Sequence, residues 1–300
     1  MMRARLPEWF RQRIPEPGIM QAMVRLLREK HLHTVCEGAI CPNIGGCFAR
    51  NTATFMILGD TCTRRCAFCA VKKGVPLPVD EKEPYHIVEA IQALGLVYAV
   101  ITSVTRDDLD DGGASHFASV IRAIREYDVS IRVEVLVPDF GGSEKAVRRV
   151  AEARPHVINH NIETVQRLYP RVRPEADFGR SIELLSRVKS LDEAIVTKSG
   201  LMLGLGEEKD EVLESMKSLR GSGCDLLTLG QYLQPSVYHY PVVRFVPPDE
   251  FADYEGAAEG IGFAGIASAP LVRSSFRAAE LYGKAEKSKQ PSTLALTEPG

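Results

Sequence analysis

Short apolar segments alternate with amphipathic segments along most of the chain. Strands that are apolar throughout and are separated by amphipathic helices indicate parallel βαβ units, with both faces of the sheet covered. The six units predict an α/β fold, namely a partial (β/α)6 barrel of the TIM type. An open doubly wound sheet is the alternative. The apolar runs, rich in β-branched residues, lie at 54–58, 97–101, 131–136, 156–159, 195–203 and 225–229. Helical spacing of apolar positions occurs near 84–94, 115–125, 143–153, 180–189 and 209–221.

The segments on either side of this repeating region have a different pattern. Residues 1–52 are predicted to form an N-terminal extension with a helical stretch from about Gln21 to Glu29, residues 53–270 the barrel, and residues 271–300 a C-terminal extension. The chain is polar after about Tyr282 and ends in Ser, Pro, Thr and Gly, so a frayed tail is expected there.

Length and composition place limits on the function. The chain has 300 residues, of which 45% are hydrophobic and 25% charged, as in soluble globular proteins. The formal net charge of −2 gives no reason to expect a nucleic acid as partner. The apolar runs are shorter than the roughly 20 residues of a membrane span, and residues 1–18 lack the apolar core of a signal peptide. We therefore expect a cytoplasmic protein that binds neither nucleic acid nor a membrane.

The cysteines are unevenly distributed. Six of the seven lie within residues 36–69, and the seventh is Cys224. In a cytoplasmic chain they should be free, bound to metal or catalytic rather than disulfide-bonded. Cys224 precedes an apolar run and is predicted to be a small buried residue. The clustering of the other six is the first sign of function.

Three cysteines, Cys62, Cys66 and Cys69, form a Cys-x3-Cys-x2-Cys pattern just after the first predicted strand, and we call them the barrel triad. Three thiolates on one short loop can bind three irons of a [4Fe–4S] cubane and leave the fourth iron open. An open position is what a metal needs to bind a substrate or cofactor, whereas structural sites are closed. A zinc knuckle is the alternative, but the second cysteine pair or histidine of such modules is missing at the expected spacing.

The other three clustered cysteines, Cys36, Cys41 and Cys47, have the spacing Cys-x4-Cys-x5-Cys, and we call them the N-terminal triad. A fourth ligand is again missing nearby. One zinc ion completed by His31 or His33 is the alternative. Two incomplete triads suggest two clusters with different roles. Glycine and proline let the backbone fold tightly around a bound group, and this segment contains Gly38, Pro42, Gly45 and Gly46.

Phe68, immediately before the last cysteine of the barrel triad, fits the signature of the radical S-adenosylmethionine (SAM) superfamily, which this triad resembles. The resemblance implies that the methionyl amino and carboxylate groups of SAM bind the open iron. It also implies that an electron from the cluster cleaves the sulfonium to give a 5′-deoxyadenosyl radical. Such a radical can take hydrogen from an alkyl carbon, for which acid–base chemistry offers no comparable route.

The chain as a whole resembles the lipoyl synthase family over about residues 7–282. Departures from the family pattern occur at Gly38, Gly46, Ala269 and Phe276, and none is a proposed iron ligand. They leave open the hydrogen bonds around the clusters and the tuning of cluster potentials. Besides the two triads, the resembling segments are 53–60, 103–109, 111–114, 133–136, 138–140, 159–164, 198–207, 230–235 and 271–276.

The resemblance implies a reaction, its cofactors and its partners. Sulfur is inserted at C6 and C8 of an octanoyl chain carried by a lipoyl domain, such as those of 2-oxoacid dehydrogenase E2 subunits or the glycine cleavage H protein. The cofactors are SAM and two [4Fe–4S] clusters, and flavodoxin or ferredoxin supplies electrons. The N-terminal triad holds the cluster that donates sulfur. Its fourth ligand is assigned to Ser275, with Ser274 as the less favoured choice.

Further residues are candidates for binding SAM or the carrier domain. Asn161, Glu163 and Asn159, after the run 156–158, are implied contacts of SAM, for which a helix cap is the alternative. Lys198, in a predicted strand, is a further candidate for the SAM carboxylate. We also expect three arginines to face an acidic carrier domain, namely Arg171, Arg173 and Arg180.

Two rival functions fit part of this pattern. Another radical enzyme that transfers sulfur or methylthio groups, acting on a biotin precursor or RNA, would lack a serine-ligated N-terminal cluster. A zinc-stabilised binding protein would have no catalytic activity.

Overall fold

A computed structural model describes residues 6–11, 17–50 and 52–289. In these ranges, no helix combines the length and apolar content that crossing a bilayer requires. The strands are β1 (His33–Thr34), β2 (Thr54–Ile57), β3 (Thr61–Cys62), β4 (Lys72–Lys73), β5 (Tyr98–Ser103), β6 (Arg132–Leu136), β7 (Val157–Asn159), β8 (Val196–Leu203), β9 (Leu226–Gln231) and β10 (Gly265–Ser268). The α-helices are α1 (Pro17–Glu29), α2 (Val35–Gly38), α3 (Ile44–Phe48), α4 (Glu83–Leu94), α5 (Ala114–Tyr127), α6 (Glu144–Glu152), α7 (Tyr169–Val172), α8 (Phe178–Leu191), α9 (Lys209–Gly221), α10 (Pro248–Ile261) and α11 (Ala278–Lys289).

The main sheet has eight strands in the order β1-β2-β5-β6-β7-β8-β9-β10. Neighbouring strands from β2 to β10 are parallel, and β1 pairs antiparallel with β2 at the edge. The parallel strands follow one another in chain order. A doubly wound sheet would reverse that order at a switch point. The predicted partial barrel is therefore confirmed, and the strand order excludes the doubly wound sheet.

Local sequence explains where several helices begin. The Ser143 hydroxyl accepts a hydrogen bond from the Ala146 amide at the start of α6, and the Asp177 carboxylate accepts one from the Arg180 amide at the start of α8. Each side chain satisfies an amide that lacks a partner in the first turn. The capping box of Glu208 and Glu211 does the same for α9.

The six predicted strands are present, but the barrel has one more unit than the sequence indicated. Helix α10 and strand β10 follow β9, and β10 pairs in parallel with it. The β10 sequence Gly-Ile-Ala-Ser is short, and two of its four residues are only partly buried, so its apolar signal is weak.

The frayed tail expected after Tyr282 was a wrong prediction as far as Lys289, because α11 continues to that residue. Residues 290–300 lie outside the described residues. Helix α11 packs against the first residues of β7, β8 and β9, so it covers the N-terminal end of the barrel. The opposite, carboxyl end of the strands is where such barrels place their sites. The residues that form this contact are Val157, Val196, Leu226, Leu281, Tyr282 and Ala285.

Candidate metal centres

The barrel triad lies on a loop, residues 62–69, that is bonded to the carboxyl ends of several strands; we call it the cysteine loop. The Thr105 amide, just after β5, donates to the Cys62 sulfur at 3.3 Å. The Ala67 amide donates to the Val172 carbonyl at 2.9 Å, and the Tyr240 amide, after β9, donates to the Ala67 carbonyl at 2.9 Å. The loop is therefore held from three sides by segments that follow different strands.

Arg64, between the first two cysteines of the barrel triad, holds the loop from inside. Its buried guanidinium donates to both oxygens of Asp107, at 2.7 and 2.8 Å, and to Asp139 at 2.6 Å. Asp139 is completely buried and also pairs with Arg180. Burial alone would raise the pKa of Asp139, but the Arg64 guanidinium outweighs it and lowers that pKa to about 2. The adjacent Arg65 side chain is exposed.

Burial favours the neutral thiol at two cysteines of the barrel triad, Cys66 and Cys69, by raising their pKa values. Burial, together with the smaller effect of the nearby Cys66 and Cys62 thiols, raises the pKa of Cys69 to about 12. Burial also raises the pKa of Cys66, and the positive charge of Arg173 partly opposes this. An iron cluster that binds here must displace these protons, since the thiolate is the metal ligand. Three mutually interacting, half-buried thiols on one loop fit three corners of a cubane.

The N-terminal triad is held by two short helices. Cys36 lies in α2 and Cys47 in α3; the Cys41 amide donates to the Cys36 carbonyl at 3.0 Å, and the Cys47 amide donates to the Asn43 carbonyl at 2.9 Å. Burial raises the pKa of Cys36 to about 12, and its neighbours Cys41 and Cys47 add to the effect. The structure thus brings the three thiols within electrostatic reach of one another.

A single zinc ion has no ready site at either triad. Among the described residues, no three histidine, cysteine, aspartate or glutamate side chains converge on one ion position. Three ligands of one zinc must all lie about 2.0–2.3 Å from the same metal, whereas three thiolates of a cubane bind three different irons and lie farther apart. Among the described residues, the thiols are therefore not spaced as the ligands of one closed zinc site.

The C-terminal segment after β10 reaches the N-terminal triad. The buried Asn43 side chain donates to the Leu271 carbonyl at 2.7 Å, across 228 residues of sequence. The next residue, Val272, crosses β9 at Gly230, where an added Cβ would lie 2.0 Å from the Val272 carbonyl oxygen. Only glycine allows this approach. Arg273 then lies near both Cys41 of the N-terminal triad and Glu163 of the barrel.

Asn161 and Glu163 connect the surroundings of the barrel triad to the C-terminal segment, since Glu163 acts electrostatically on the thiols of Cys66 and Cys69 and on Arg273. The Asn161 amide nitrogen donates to Glu163 Oε1 and to Ser274 Oγ, each at 3.1 Å. The Asn161 Oδ1 atom is buried and has no hydrogen-bond partner among the described residues. Glu163 has a φ of 63°, in the left-handed region that is uncommon for a residue with a side chain. An unpaired buried acceptor beside a strained residue is typical of a ligand site.

The other two candidate SAM contacts, Asn159 and Lys198, have a different neighbour. Lys198 Nζ pairs with Glu134 Oε1 at 2.8 Å, both side chains being completely buried, and Asn159 donates to the same oxygen at 3.2 Å. Tyr98 donates to the other Glu134 oxygen at 2.7 Å. Tyr98 also packs on Tyr282 of α11, so this polar group lies near the covered end of the barrel. Contact of Lys198 or Asn159 with SAM stays a prediction.

The expectation that Arg171, Arg173 and Arg180 face a partner was wrong for Arg173. Its guanidinium is buried and donates to the carbonyls of Asn161 and Ile162, each at 3.0 Å, because the turn after β7 leaves these carbonyls without ladder partners. Arg180 is tied to Asp139, and Arg171 alone of the three is exposed.

Sequence reasoning missed two residues that support the cysteine loop. Arg64 could have been noticed, because it lies inside the cysteine pattern. His239 gave no such signal: its Nε2 atom is 3.1 Å from the Cys69 carbonyl, and its Nδ1 atom is 2.8 Å from the Ser236 hydroxyl. Cys224 is completely buried among apolar side chains, as predicted.

This fold is that of a radical SAM protein, since residues 56–219, which include the barrel triad, match the Radical SAM superfamily. Membership of that superfamily implies SAM and one [4Fe–4S] cluster. The chain is 55% identical to the lipoyl synthase of Caldicellulosiruptor saccharolyticus over 280 residues, which are 93% of this chain and 98% of that protein. It is 56% identical to the lipoyl synthase of Methylococcus capsulatus over 275 residues, covering 91% and 85%. The chain belongs to the lipoyl synthase family.

Two solved structures share the fold at low sequence identity. Methylornithine synthase (PylB) has a TM-score of 0.52 and 12% identity, covering 79% of this chain and 69% of that one. HydG, a maturase of the [FeFe]-hydrogenase, has a TM-score of 0.54 and 14% identity, covering 70% and 50%. At this level of sequence identity, the two structures support only the shared partial-barrel fold.

Proposed function

We propose that this chain inserts two sulfur atoms, at C6 and C8, into an octanoyl group bound to a lysine of a lipoyl domain. Suitable carriers are the E2 subunits of 2-oxoacid dehydrogenases and the H protein of glycine cleavage. The observation that carries the proposal is that residues 271–275 connect the surroundings of the two triads. Leu271 accepts a hydrogen bond from Asn43 beside the N-terminal triad, and Ser274 accepts one from Asn161, two residues before the Glu163 carboxyl that acts on Cys66. A radical formed at one triad can then act close to sulfur held at the other.

The barrel triad is the proposed holder of the radical-generating cluster. Cys62, Cys66 and Cys69 would hold a [4Fe–4S] cluster, which together with SAM would supply the 5′-deoxyadenosyl radical. In this proposal Asn161 and Glu163 orient SAM; the unpaired Asn161 Oδ1 supports this role, because it could accept a hydrogen bond from the amino or ribose groups of SAM. The hydrogen bonds of the cysteine loop fix the position of the barrel triad relative to Asn161 and Glu163. Such fixed geometry is needed if a short-lived radical is to attack one carbon selectively.

The cluster at the N-terminal triad is the proposed sulfur substrate, held by Cys36, Cys41, Cys47 and Ser275. Two observations support Ser275: the Asn43–Leu271 hydrogen bond brings this segment to the triad, and Asn161 already engages the Ser274 hydroxyl. A hard serine oxygen is a mismatched ligand on a thiolate-bound iron and can be released. Each inserted sulfur replaces one C–H hydrogen, which leaves as part of 5′-deoxyadenosine, so two SAM molecules are consumed per lipoyl group.

The electron for each SAM cleavage comes from flavodoxin or ferredoxin in this proposal. We place the reaction in the cytoplasm, where six unpaired thiols remain reduced.

Three single cysteine variants test the proposal. Anaerobically purified protein should contain about eight iron atoms per chain, the content of two cubanes. Cys36→Ala should cleave SAM but form no lipoyl product, and Cys66→Ala should do neither. Cys224→Ala is the matched control, since this buried cysteine lies outside both triads, and should retain both activities. Lipoyl formation by Cys36→Ala, measured by mass spectrometry of an octanoylated H protein, would disprove the sulfur-donor role.

A further inference from the structure

Arg173 carries a buried positive charge whose hydrogen-bond acceptors are all uncharged. Its side chain is only 8% exposed. The Nη1 atom donates to the carbonyls of Asn161 and Ile162, each at 3.0 Å, and to the Tyr169 hydroxyl at 3.2 Å. The Nε atom is buried and has no hydrogen-bond partner among the described residues. This guanidinium therefore has both a charge and a donor that its surroundings leave unused.

Two carboxyl groups act on Arg173, but neither forms a salt bridge with it in the described part of the chain. Asp139 is paired with Arg64 at 2.6 Å and with Arg180 at 3.2 Å. Burial raises the pKa of Glu163 even against the charge of Arg173, which favours the neutral carboxyl there. An arginine side chain stays protonated in proteins, and a buried charge without a partner is unfavourable. A further negative group is needed to compensate this cation.

The main chain places Arg173 beside the cysteine loop. The Ala67 amide donates to the Val172 carbonyl at 2.9 Å. Ala67 follows Cys66 and Val172 precedes Arg173, so this hydrogen bond joins the neighbours of the cysteine and of the arginine. The electrostatics agree with this geometry, since burial raises the pKa of the Cys66 thiol and the charge of Arg173 opposes the effect. The cation thus lies where bound thiolates would bring negative charge.

We infer that Arg173 is the buried counter-charge of the cluster at the barrel triad and raises the reduction potential of that cluster. The inference rests on the proposed assignment of a [4Fe–4S] cluster to Cys62, Cys66 and Cys69. Reduction adds one electron to a cluster whose thiolate ligands are already negative. A fixed cation attracts the reduced form more strongly than the oxidised form. Net charge is one of the factors that set the potentials of such clusters.

A purely structural role would use the hydrogen bonds of Arg173 but not its charge. Carbonyl and hydroxyl acceptors can be satisfied by a neutral donor, which avoids burying a charge. Substitution can therefore separate the two properties. Arg173→Gln keeps a hydrogen-bond donor without the charge, whereas Arg173→Lys keeps the charge.

The test measures the midpoint potential of the barrel-triad cluster in the absence of SAM, so that a contact with SAM cannot cause a shift. The variants are made in the Cys36→Ala protein, in which the barrel triad holds the remaining cluster, and potentiometric titrations are followed by electron paramagnetic resonance. Arg173→Gln should lower the equilibrium constant for reduction about tenfold, which is a shift of about 59 mV to more negative potential for one electron. Arg173→Lys should shift the potential by less than half as much.

Arg171→Gln is the matched control, because Arg171 lies two residues before Arg173, in α7, and is exposed. Its potential should equal that of the Cys36→Ala protein. Equal shifts in Arg173→Gln and Arg173→Lys would overturn the inference, as would an unchanged potential in Arg173→Gln.

The iron content decides the case in which a variant fails to hold its cluster. Loss of the cluster from Arg173→Gln but not from Arg173→Lys would support the counter-charge. Loss from both would overturn the inference, because the hydrogen bonds and not the charge would then be decisive. Absence of iron from the Cys36→Ala protein itself would instead refute the proposed function.

Discussion

The Asn161 side chain donates a hydrogen bond of 3.1 Å to the Ser274 hydroxyl and thereby joins the turn after β7 to the C-terminal segment. The same amide nitrogen also contacts Glu163 at 3.1 Å. One serine of an adjacent pair is thus bound to the barrel. The two serines consequently have different roles in the proposed site: Ser274 positions the segment, and Ser275 is left to bind iron.

This difference predicts unequal effects of removing each hydroxyl. Ser275→Ala should abolish lipoyl formation and leave SAM cleavage above half of its normal rate, because only the N-terminal triad loses a ligand. Ser274→Ala should lower product formation only several-fold, since one hydrogen bond is lost, about 1 kcal/mol. Product mass spectrometry and SAM-cleavage assays check both. Full activity of Ser275→Ala together with an inactive Ser274→Ala would reverse the assignment.

The adjacent arginines of the cysteine loop provide a second comparison. Arg64→Met leaves the completely buried Asp139 with one fewer cation, and breaking such a pair costs about 3–5 kcal/mol. We expect the barrel triad to lose its cluster, so that iron falls to about four atoms per chain and SAM cleavage falls more than tenfold. Arg65→Met, at an exposed site, is the control and should change the unfolding free energy by less than about 0.5 kcal/mol. Equal iron contents in the two variants would contradict the role of Arg64.

The buried pair of Lys198 and Glu134 predicts a cost in stability. Lys198→Met leaves a carboxylate unpaired in the interior and should lower the free energy of unfolding by about 3–5 kcal/mol. The double variant Lys198→Met/Glu134→Gln removes both charges and should recover a large part of that loss. Urea denaturation measures the free energies. If Lys198→Met instead weakens SAM binding at unchanged stability, the lysine contacts the cofactor, as predicted from its position in an otherwise apolar strand.

His160 predicts how stability depends on pH. Burial, followed by the nearby charge of Arg173, lowers the pKa of His160 from 6.5 to about 4. Its two ring nitrogens contact the Val137 carbonyl at 2.9 Å and the Ser181 hydroxyl at 3.0 Å. The unfolded chain therefore binds the extra proton first as the pH falls below 6.5. The stability present above that pH is lost toward pH 4, by about 3 kcal/mol in total.

Denaturation curves between pH 7 and pH 5 check this dependence. His160→Gln should show a slope smaller than that of the parent by up to about 1.4 kcal/mol per pH unit, the value for one proton. His31→Gln is the control, because His31 is exposed, and should keep the parent slope. An unchanged slope in His160→Gln would exclude this histidine as the group responsible.

Patterns within short stretches of sequence predicted much of the fold and singled out the six cysteines as candidate metal ligands. The alternation of apolar and amphipathic segments gave the barrel, because burial on both sheet faces requires it. The spacing of Cys62, Cys66 and Cys69 indicated one short loop, because three thiolates that bind a single cluster must lie close together. Strand β10 was missed because Gly265, Ala267 and Ser268 contribute little hydrophobicity.

Contacts between distant residues could not be predicted in this way. Arg64 and Arg65 are equivalent in the sequence, since a loop has no periodicity to show which side chain points inward. Lys198 is buried because of Glu134, 64 residues earlier. Arg173 looked like an exposed cation until the turn after β7 placed two carbonyls around it.

The hydrogen bond from Asn43 to Leu271 also sets an order on biosynthesis. A ribosome makes Asn43 early and must add 228 further residues before its acceptor exists. By that time Thr105, Val172 and Tyr240, which frame the barrel triad, have all been added. If iron is delivered while the chain is still being synthesised, the segments that surround the barrel triad are therefore present before those that surround the N-terminal triad. The N-terminal cysteines are translated first, but the residues that surround them are completed last.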